Sequence, residues 1–138
     1  EAVATLYFVC GKMAAGKSTH AKALAVQKHA LLFVQDELLE MLYPGEIRVL
    51  ADFERCSTRL RATLAPQIEA LLRRGLDVVL DSPAKTLKQR AWFRELFEAA
   101  RAAHELHWID ALCKHVLTQR FLLRSGCFGE GLGRGLHA

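Results

Sequence analysis

Short apolar runs alternate with longer segments of helical periodicity along this chain. The runs at 6–9, 31–34 and 78–80 are continuously apolar, which is typical of strands covered on both faces, and a weaker run follows at 104–109. We predict strands at these positions and helices over 17–29, 38–42, 47–74, 86–103 and 111–124. Strands that alternate with helices indicate parallel strand–helix–strand units, so the fold class is α/β with a mainly parallel sheet flanked by helices.

Two segments modify this pattern. Pro66 lies inside the predicted helix 47–74, and because proline lacks the amide hydrogen that a helix interior uses, we expect a kink or a division there. The sequence after Arg124 is rich in glycine and has no periodicity, so we expect a mobile tail. We therefore predict one domain at 1–124 and a tail at 125–138.

Residues 11–18 have the pattern G-x-x-x-x-G-K-S between the first predicted strand and the first predicted helix. Gly11 and Gly16 permit backbone conformations that turn the loop's N–H groups inward, and the following helix N-terminus favours an anion. Lys17 would contact the β- and γ-phosphates of a nucleotide, and the Ser18 hydroxyl would bind Mg²⁺. A strand–helix turn that binds nothing is the alternative, but the complete pattern in this setting favours a P-loop. The predicted ATP-binding residues are Gly11, Ala14, Ala15, Gly16, Lys17, Ser18 and Thr19.

Three acidic residues follow predicted strands, where the functional groups of a parallel sheet collect. Asp81 follows Val78-Val79-Leu80, a Walker B pattern, and we predict that it helps to hold Mg²⁺; helix capping is the alternative. Asp36 would orient an acceptor hydroxyl or accept its proton, again with capping as the alternative. Asp110 we interpret as a helix cap. The residue after Asp81 is Ser82 instead of the glutamate typical of water-activating ATPases, which favours a kinase.

Phosphate transfer also needs positive charge near the transferred group. Arg120 and Arg124 are one turn apart on the predicted last helix, so they would share a face and could stabilise that charge. Arg90 and Lys85 are weaker candidates. Solvated surface is the alternative for all four residues. The histidines lack metal-ligand spacing, and we interpret them as structural or surface residues.

Together these motifs resemble the small P-loop kinases, and within them the AAA-type ATP-binding group related to zeta toxin and chloramphenicol phosphotransferase. The resemblance spans about residues 5–124 and depends on the following segments: Gly11–Thr19, Gln35-Asp36-Glu37, Val78–Asp81 with Arg90, and Arg120 with Arg124. It implies a three-layer P-loop NTPase fold with strand order 2-3-1-4-5. It also implies ATP and Mg²⁺ at Lys17 and Ser18, Asp36 as catalytic base, and the two arginines beside a lid.

Members of this family continue beyond the lid into a fifth strand, but no apolar run follows Arg124. We therefore expect the sheet to lack its last strand and phosphate transfer to be impaired. The first residue is not methionine, so we also expect a processed or partial chain.

Composition narrows the remaining choices. The 138 residues are 51% hydrophobic, enough for one core, yet no apolar run approaches the roughly 20 residues of a membrane span. No basic segment precedes the N-terminal apolar stretch, so a secretion signal is not predicted. The four cysteines have no C-x-x-C pairing, which favours reduced thiols and a cytoplasmic protein.

We therefore predict a kinase that passes the γ-phosphate of ATP to a hydroxyl of a small molecule. A nucleotide-binding or NTPase module without an acceptor remains open. So does a kinase of nucleic-acid 5′ ends, which the net charge of +4 favours slightly. Specificity would come from the helical segment 47–74, whose apolar residues also fit a core. The identity of the acceptor and the oligomeric state do not follow from the sequence.

Overall fold

The computed structural model describes residues 3–11, 17–84, 86–110 and 115–121. The loop residues 12–16, Lys85, Arg124 and the predicted tail lie outside this range. The strands and helices are β1 (Thr5–Gly11), α1 (Lys17–Lys28), β2 (Leu31–Val34), α2 (Gln35–Leu42), α3 (Leu50–Arg73), β3 (Val78–Asp81), α4 (Leu87–Ala99), β4 (Ala103–Asp110) and β5 (His115–Phe121).

One five-stranded sheet has the order β2-β3-β1-β4-β5. The first four strands are parallel to one another, and β5 pairs antiparallel with β4. The predicted α/β class, the mainly parallel sheet and the order implied by the family resemblance are confirmed. The carboxyl ends of β2, β3 and β1 therefore lie side by side.

The prediction of a helix over 111–124 is wrong, because the described part of this segment is β5. Without β5, strand β4 would be an edge strand with a row of unpaired backbone groups. Seven residue pairs join β4 to β5, and this pairing prevails over the helical periodicity of residues 111–124. The fifth strand of the sheet is this antiparallel β5. The strand expected to be missing after Arg124 concerns residues outside the described range, so its absence stays a prediction.

The two faces of the sheet pack against different helices because side chains alternate along β1. Leu6 and Phe8 lie on the face covered by α3 and α4, where the Phe8 ring stacks on Phe93 with centroids 3.9 Å apart. Tyr7 and Val9 lie on the opposite face, against small residues of α1 such as Ala21. These small residues bring α1 close to the sheet, and α1 begins at the predicted phosphate loop.

Helix α3 continues through Pro66, so the predicted division into two helices is wrong. Pro66 and the residue four positions earlier, Ala62, are both exposed, and the carbonyl released by the proline therefore lies where water can bind it. Buried Leu60 and Ile68 anchor the helix on either side of this position. Tertiary packing thus maintains one long helix beside the sheet.

Candidate active site

Strand pairing brings the predicted functional segments to one edge of the sheet. Asp81, the last residue of β3, is in register with Val9 of β1 on one side and with Val34 of β2 on the other. Gly11 follows Val9 by two residues, and Asp36 follows Val34 by two residues at the start of α2. The structure therefore brings Gly11, Asp36 and Asp81 together, as the sequence predicted.

Gly11 is required by its backbone conformation and its close packing. Its φ is +140°, and a Cβ placed on it would lie 2.4 Å from the carbonyl oxygen of Ile109 in β4. No larger residue fits without moving β4, so the chain leaves β1 at a fixed point against its neighbour. Ala14, Ala15 and Gly16 of the predicted ATP site lie outside the described residues.

Lys17 and Asp81 form a buried ion pair. Lys17 Nζ lies 3.2 Å from Asp81 Oδ1, and the two side chains are 7% and 3% exposed. Burial raises the pKa of Asp81, while the Lys17 charge and a hydrogen bond from Ser18 lower it and the nearby Asp36 charge raises it further. The cation predicted for ATP phosphates is thus held against the acid predicted for Mg²⁺.

The oxygen atoms around this pair suit a magnesium ion. Asp81 Oδ2 is buried and has no hydrogen-bond partner within the part of the chain that the structure describes. Ser18 interacts with the same carboxylate, and both Ser18 and Thr19 are exposed. Mg²⁺ prefers oxygen ligands and usually keeps several waters, so one carboxylate and one hydroxyl fit its requirements.

Asp36 differs from Asp81 in that it is exposed. Among the described residues it has no ion pair or side-chain hydrogen bond, whereas the adjacent Glu37 forms an ion pair of 3.2 Å with Lys22 of α1. Asp36 is close enough to Asp81 for its charge to raise the pKa of that acid. An uncommitted carboxylate therefore lies beside the buried ion pair.

A buried chain of hydrogen bonds fixes the segments that carry these two acids. The Ser82 hydroxyl donates to Gln35 Oε1 over 2.7 Å, and Gln35 Nε2 donates to Ser57 Oγ of α3 over 3.4 Å. All three side chains are at most 2% exposed. Sequence reasoning missed this network; the one available signal was that two polar residues adjoin the predicted catalytic acids.

A second polar chain, also missed, joins β4 to α1. His20 Nε2 lies 2.9 Å from His107 Nδ1, and His107 Nε2 lies 2.8 Å from Glu105 Oε1. Burial lowers the pKa of His20, and so does the neighbouring His107. The structural interpretation of these histidines agrees with this arrangement, and the described residues contain no group of three His, Cys, Asp or Glu that could hold a metal.

The predicted arginine pair has a different setting. Arg120 lies on β5 in register with Glu105, so the argument that one turn of helix aligns it with Arg124 is wrong. Arg124 lies outside the described residues, as does Lys85.

Arg90 Nε donates to the carbonyl of Ala84 over 3.0 Å, which stabilises the segment after β3. Asp110 ends β4, so its predicted role as cap of a last helix is wrong. A phosphate contact by Arg120 or Arg124 stays a prediction.

Comparisons with known proteins agree with this architecture. A family model described as an AAA domain matches residues 6–121. Within the described residues, no helix is both long and apolar enough to cross a lipid bilayer. A search of curated proteins gave no sequence match.

Several solved structures share the fold. A protein of Chloroflexus aurantiacus assigned as a kinase superposes with a TM-score of 0.67 at 19% identity, over 78% of this chain and 60% of its own. The APS kinase CysC of Mycobacterium tuberculosis gives 0.53 at 22% identity, over 98% and 97%. A chain of the Pnkp1/Rnl/Hen1 RNA repair complex gives 0.56 at 18% identity, over 80% and 34%. The chain therefore spans less than two thirds of the Chloroflexus protein and of the RNA repair chain.

Proposed function

The chain belongs to the AAA-domain family, which has a P-loop, kinase-like fold, and on this premise we propose that it is an ATP-dependent kinase. It transfers the γ-phosphate of ATP to a hydroxyl group of a small molecule. The solved relatives contribute only the fold to this proposal, because all are less than 25% identical. The roles of the residues come from the site itself.

In this proposal residues 11–19 surround the phosphates of ATP. Lys17 moves from Asp81 to the β- and γ-phosphates, since a polyphosphate carries more negative charge than one carboxylate. Ser18 and Asp81 would hold Mg²⁺, which would supply positive charge to the phosphate oxygens. When Lys17 moves away, no cation remains beside the Asp81 carboxylate. Binding of ATP at Lys17 and of Mg²⁺ at Asp81 should therefore favour each other.

Asp36 acts on the acceptor. Its carboxylate accepts a hydrogen bond from the acceptor hydroxyl and takes the proton as the oxygen bonds to the γ-phosphorus. The bond from that phosphorus to the β–γ bridging oxygen breaks, and ADP leaves with the electron pair. The proton remains on Asp36 until it returns to solvent.

One observation carries the proposal: an exposed, uncommitted carboxylate at Asp36 adjoins the buried Lys17–Asp81 pair. A water-activating ATPase would have a carboxylate directly after Asp81, but this position is Ser82. The Ser82 hydroxyl donates a hydrogen bond to Gln35. Asp36 is therefore the carboxylate that can activate the nucleophile. Because its side chain is exposed, molecules larger than water can reach it.

The test compares Asp36→Asn with Glu37→Gln. Asparagine keeps the size of Asp36 but cannot take a proton, so we expect kcat for phosphate transfer to fall by about 10²- to 10⁴-fold. Glu37 is the adjacent exposed acid and points to Lys22, so Glu37→Gln is the matched control and keeps transfer within a few-fold. ADP release is measured with and without a panel of hydroxyl compounds.

Binding of an ATP analogue, measured by calorimetry, must be alike in both variants, because Asp36 contacts the acceptor rather than ATP. Equal transfer by Asp36→Asn and the wild type would contradict the proposal. ADP release that no hydroxyl compound accelerates would favour an NTPase module instead.

A second candidate is a kinase of nucleic-acid 5′ ends. It is supported by the fold shared with a chain of an RNA repair complex and by an isoelectric point of about 9.1. It predicts labelling of 5′-hydroxyl oligonucleotides and binding that weakens steeply with salt. Oligonucleotide binding without a salt slope, or no binding, would remove this candidate.

A further inference from the structure

A small cavity lies between α3 and the start of α4. Its volume is about 150 Å³, and its polar lining consists of the following residues of α3 and of the start of α4: Glu54, Ser57, Thr58, Arg61, Thr86, Lys88 and Gln89. Pockets for whole drug-sized ligands are larger, at about 300–1,000 Å³. This cavity suits one functional group of a ligand.

Arg61 is the buried charged residue in the lining of the cavity. The residue is 7% exposed, and its guanidinium lies over the Trp92 ring at 5.9 Å from the centroid. Arg61 Nη2 has a long hydrogen bond of 3.5 Å to Thr58 Oγ1, while buried Nη1 has no hydrogen-bond partner within the described residues. The indole Nε1 of Trp92 is also buried without a partner there.

The charge of Arg61 has no close counter-ion in the described part of the chain, where no carboxylate oxygen lies within 4.0 Å of its guanidinium. Glu54, an exposed acid that also lines the cavity, acts on Arg61 from a longer distance. Burial lowers the pKa of Arg61, and Glu54 raises it, but a guanidinium stays protonated in proteins. A buried charge without a partner is costly, so this one is expected to meet an anion.

The cavity is connected to the proposed catalytic acid through Ser57. The Ser57 hydroxyl lines the cavity and accepts a hydrogen bond from Gln35, the residue before Asp36. Thr86, on the opposite wall, lies five residues after Asp81 in the segment that leaves the end of β3. The cavity is thus linked by hydrogen bonding to the segment that carries Asp36.

We propose that this cavity binds an anionic group, a carboxylate or a phosphate, carried by the acceptor molecule. The guanidinium of Arg61 donates two parallel N–H bonds to the anion, Trp92 supports the guanidinium plane, and exposed Lys88 adds positive charge at the rim. The bound anion orients the acceptor so that its hydroxyl faces Asp36. This substrate class depends on the proposed kinase function, but the anion site itself is tested separately.

The first experiment measures anion binding while the phosphate loop is occupied. The protein is saturated with Mg²⁺ and a non-hydrolysable ATP analogue, and sulfate is then titrated while the thermal unfolding midpoint is recorded. Wild type is expected to show a saturable increase, and Arg61→Met to lose it. Arg59→Met is the matched control, because Arg59 is an exposed arginine two residues away on the same helix.

The second experiment uses acceptors in pairs that differ only by an anionic group. For anionic acceptors Arg61→Met is expected to raise KM by about 10- to 100-fold, the value of one charge-assisted hydrogen-bonded contact. We expect kcat and the KM for ATP to stay within a few-fold. Neutral acceptors should be unaffected, and Arg61→Lys should recover part of the loss. A purely structural arginine would change all acceptors alike.

The outcomes separate the two proposals. An Arg61-dependent sulfate response without transfer to any acceptor would support the anion site and contradict the kinase function. Transfer to acceptors with equal KM in Arg61→Met and Arg59→Met would support the kinase and overturn the anion site. An equal sulfate response in both variants would show an adventitious ion only and also overturn it.

Discussion

Two buried cations of this domain are in opposite situations. Lys17 is held 3.2 Å from the buried carboxylate of Asp81, whereas Arg61 has no carboxylate within 4.0 Å in the described part of the chain. Lys17 therefore has an internal partner that a polyphosphate can replace. Among the residues that the structure describes, Arg61 has no such close partner and its Nη1 has no hydrogen bond. On this difference rests our proposal of two anion sites, one that exchanges partners and one that has no close partner until a ligand binds.

The largest expected effect comes from breaking the Lys17–Asp81 pair. Lys17→Met leaves Asp81 buried without a cation, so we expect a loss of about 3–5 kcal/mol in the free energy of unfolding at neutral pH. ATP binding should be lost as well. Urea unfolding and calorimetry measure the two effects.

A double-mutant cycle completes this prediction. Lys17→Met with Asp81→Asn removes both charges and should recover much of the stability. Burial raises the pKa of Asp81, and removal of Lys17 raises it further, so the defect of Lys17→Met should lessen as the pH falls and the carboxylate becomes neutral. Additive effects, or a defect that does not depend on pH, would contradict the assigned pair.

In a third buried group, His104, burial disfavours the charged form of the imidazole ring. Its ring stacks on Phe97 with centroids 3.7 Å apart, and burial lowers its pKa from 6.5 to about 4. Between these values the unfolded chain binds more protons than the folded one, so stability falls as the pH decreases from 6.5 to 4. The loss is up to about 3 kcal/mol.

Chemical denaturation across this pH range checks the prediction for His104. His104→Leu should have a flatter pH profile than the wild type, although its stability at neutral pH need not be higher. Parallel profiles for the two proteins would show that another group causes the acid sensitivity.

The smallest expected effect is that of Arg61→Met on stability. The substitution loses a long hydrogen bond and a contact with Trp92 but removes an unpaired buried charge, so we expect a change within about 1 kcal/mol. A loss of several kcal/mol in urea unfolding would show that Arg61 is a structural cation like Lys17, and the contrast between them would fail.

The site around Lys17 and Asp81 could be predicted from the sequence because the residues that indicate it lie close together along the chain. Gly11, Lys17 and Ser18 lie within eight consecutive residues, and two apolar runs end just before Asp36 and Asp81. Parallel pairing of β2, β3 and β1 then brings these acids to the sheet edge where β1 ends at Gly11.

The second site could not be found in this way. Its lining combines α3 with the start of α4, about 30 residues later. The prediction that specificity comes from the helical segment 47–74 named none of the polar residues of this lining. The available signal was that Ser57 and Arg61, one turn apart, interrupt the face that carries Leu60 and Ile68. Strand β5 was missed for a related reason, since only pairing with β4 decides against a helix there.

A crystal structure with Mg²⁺, a non-hydrolysable ATP analogue and sulfate would test the central claim most directly, because it shows the partner of each buried cation. The account predicts Lys17 on the β- and γ-phosphates, Asp81 beside Mg²⁺, Asp36 facing the γ-phosphate, and sulfate on Arg61. Lys17 still paired with Asp81 in the nucleotide complex, with Asp36 turned away from the γ-phosphate and Arg61 without an anion, would contradict it.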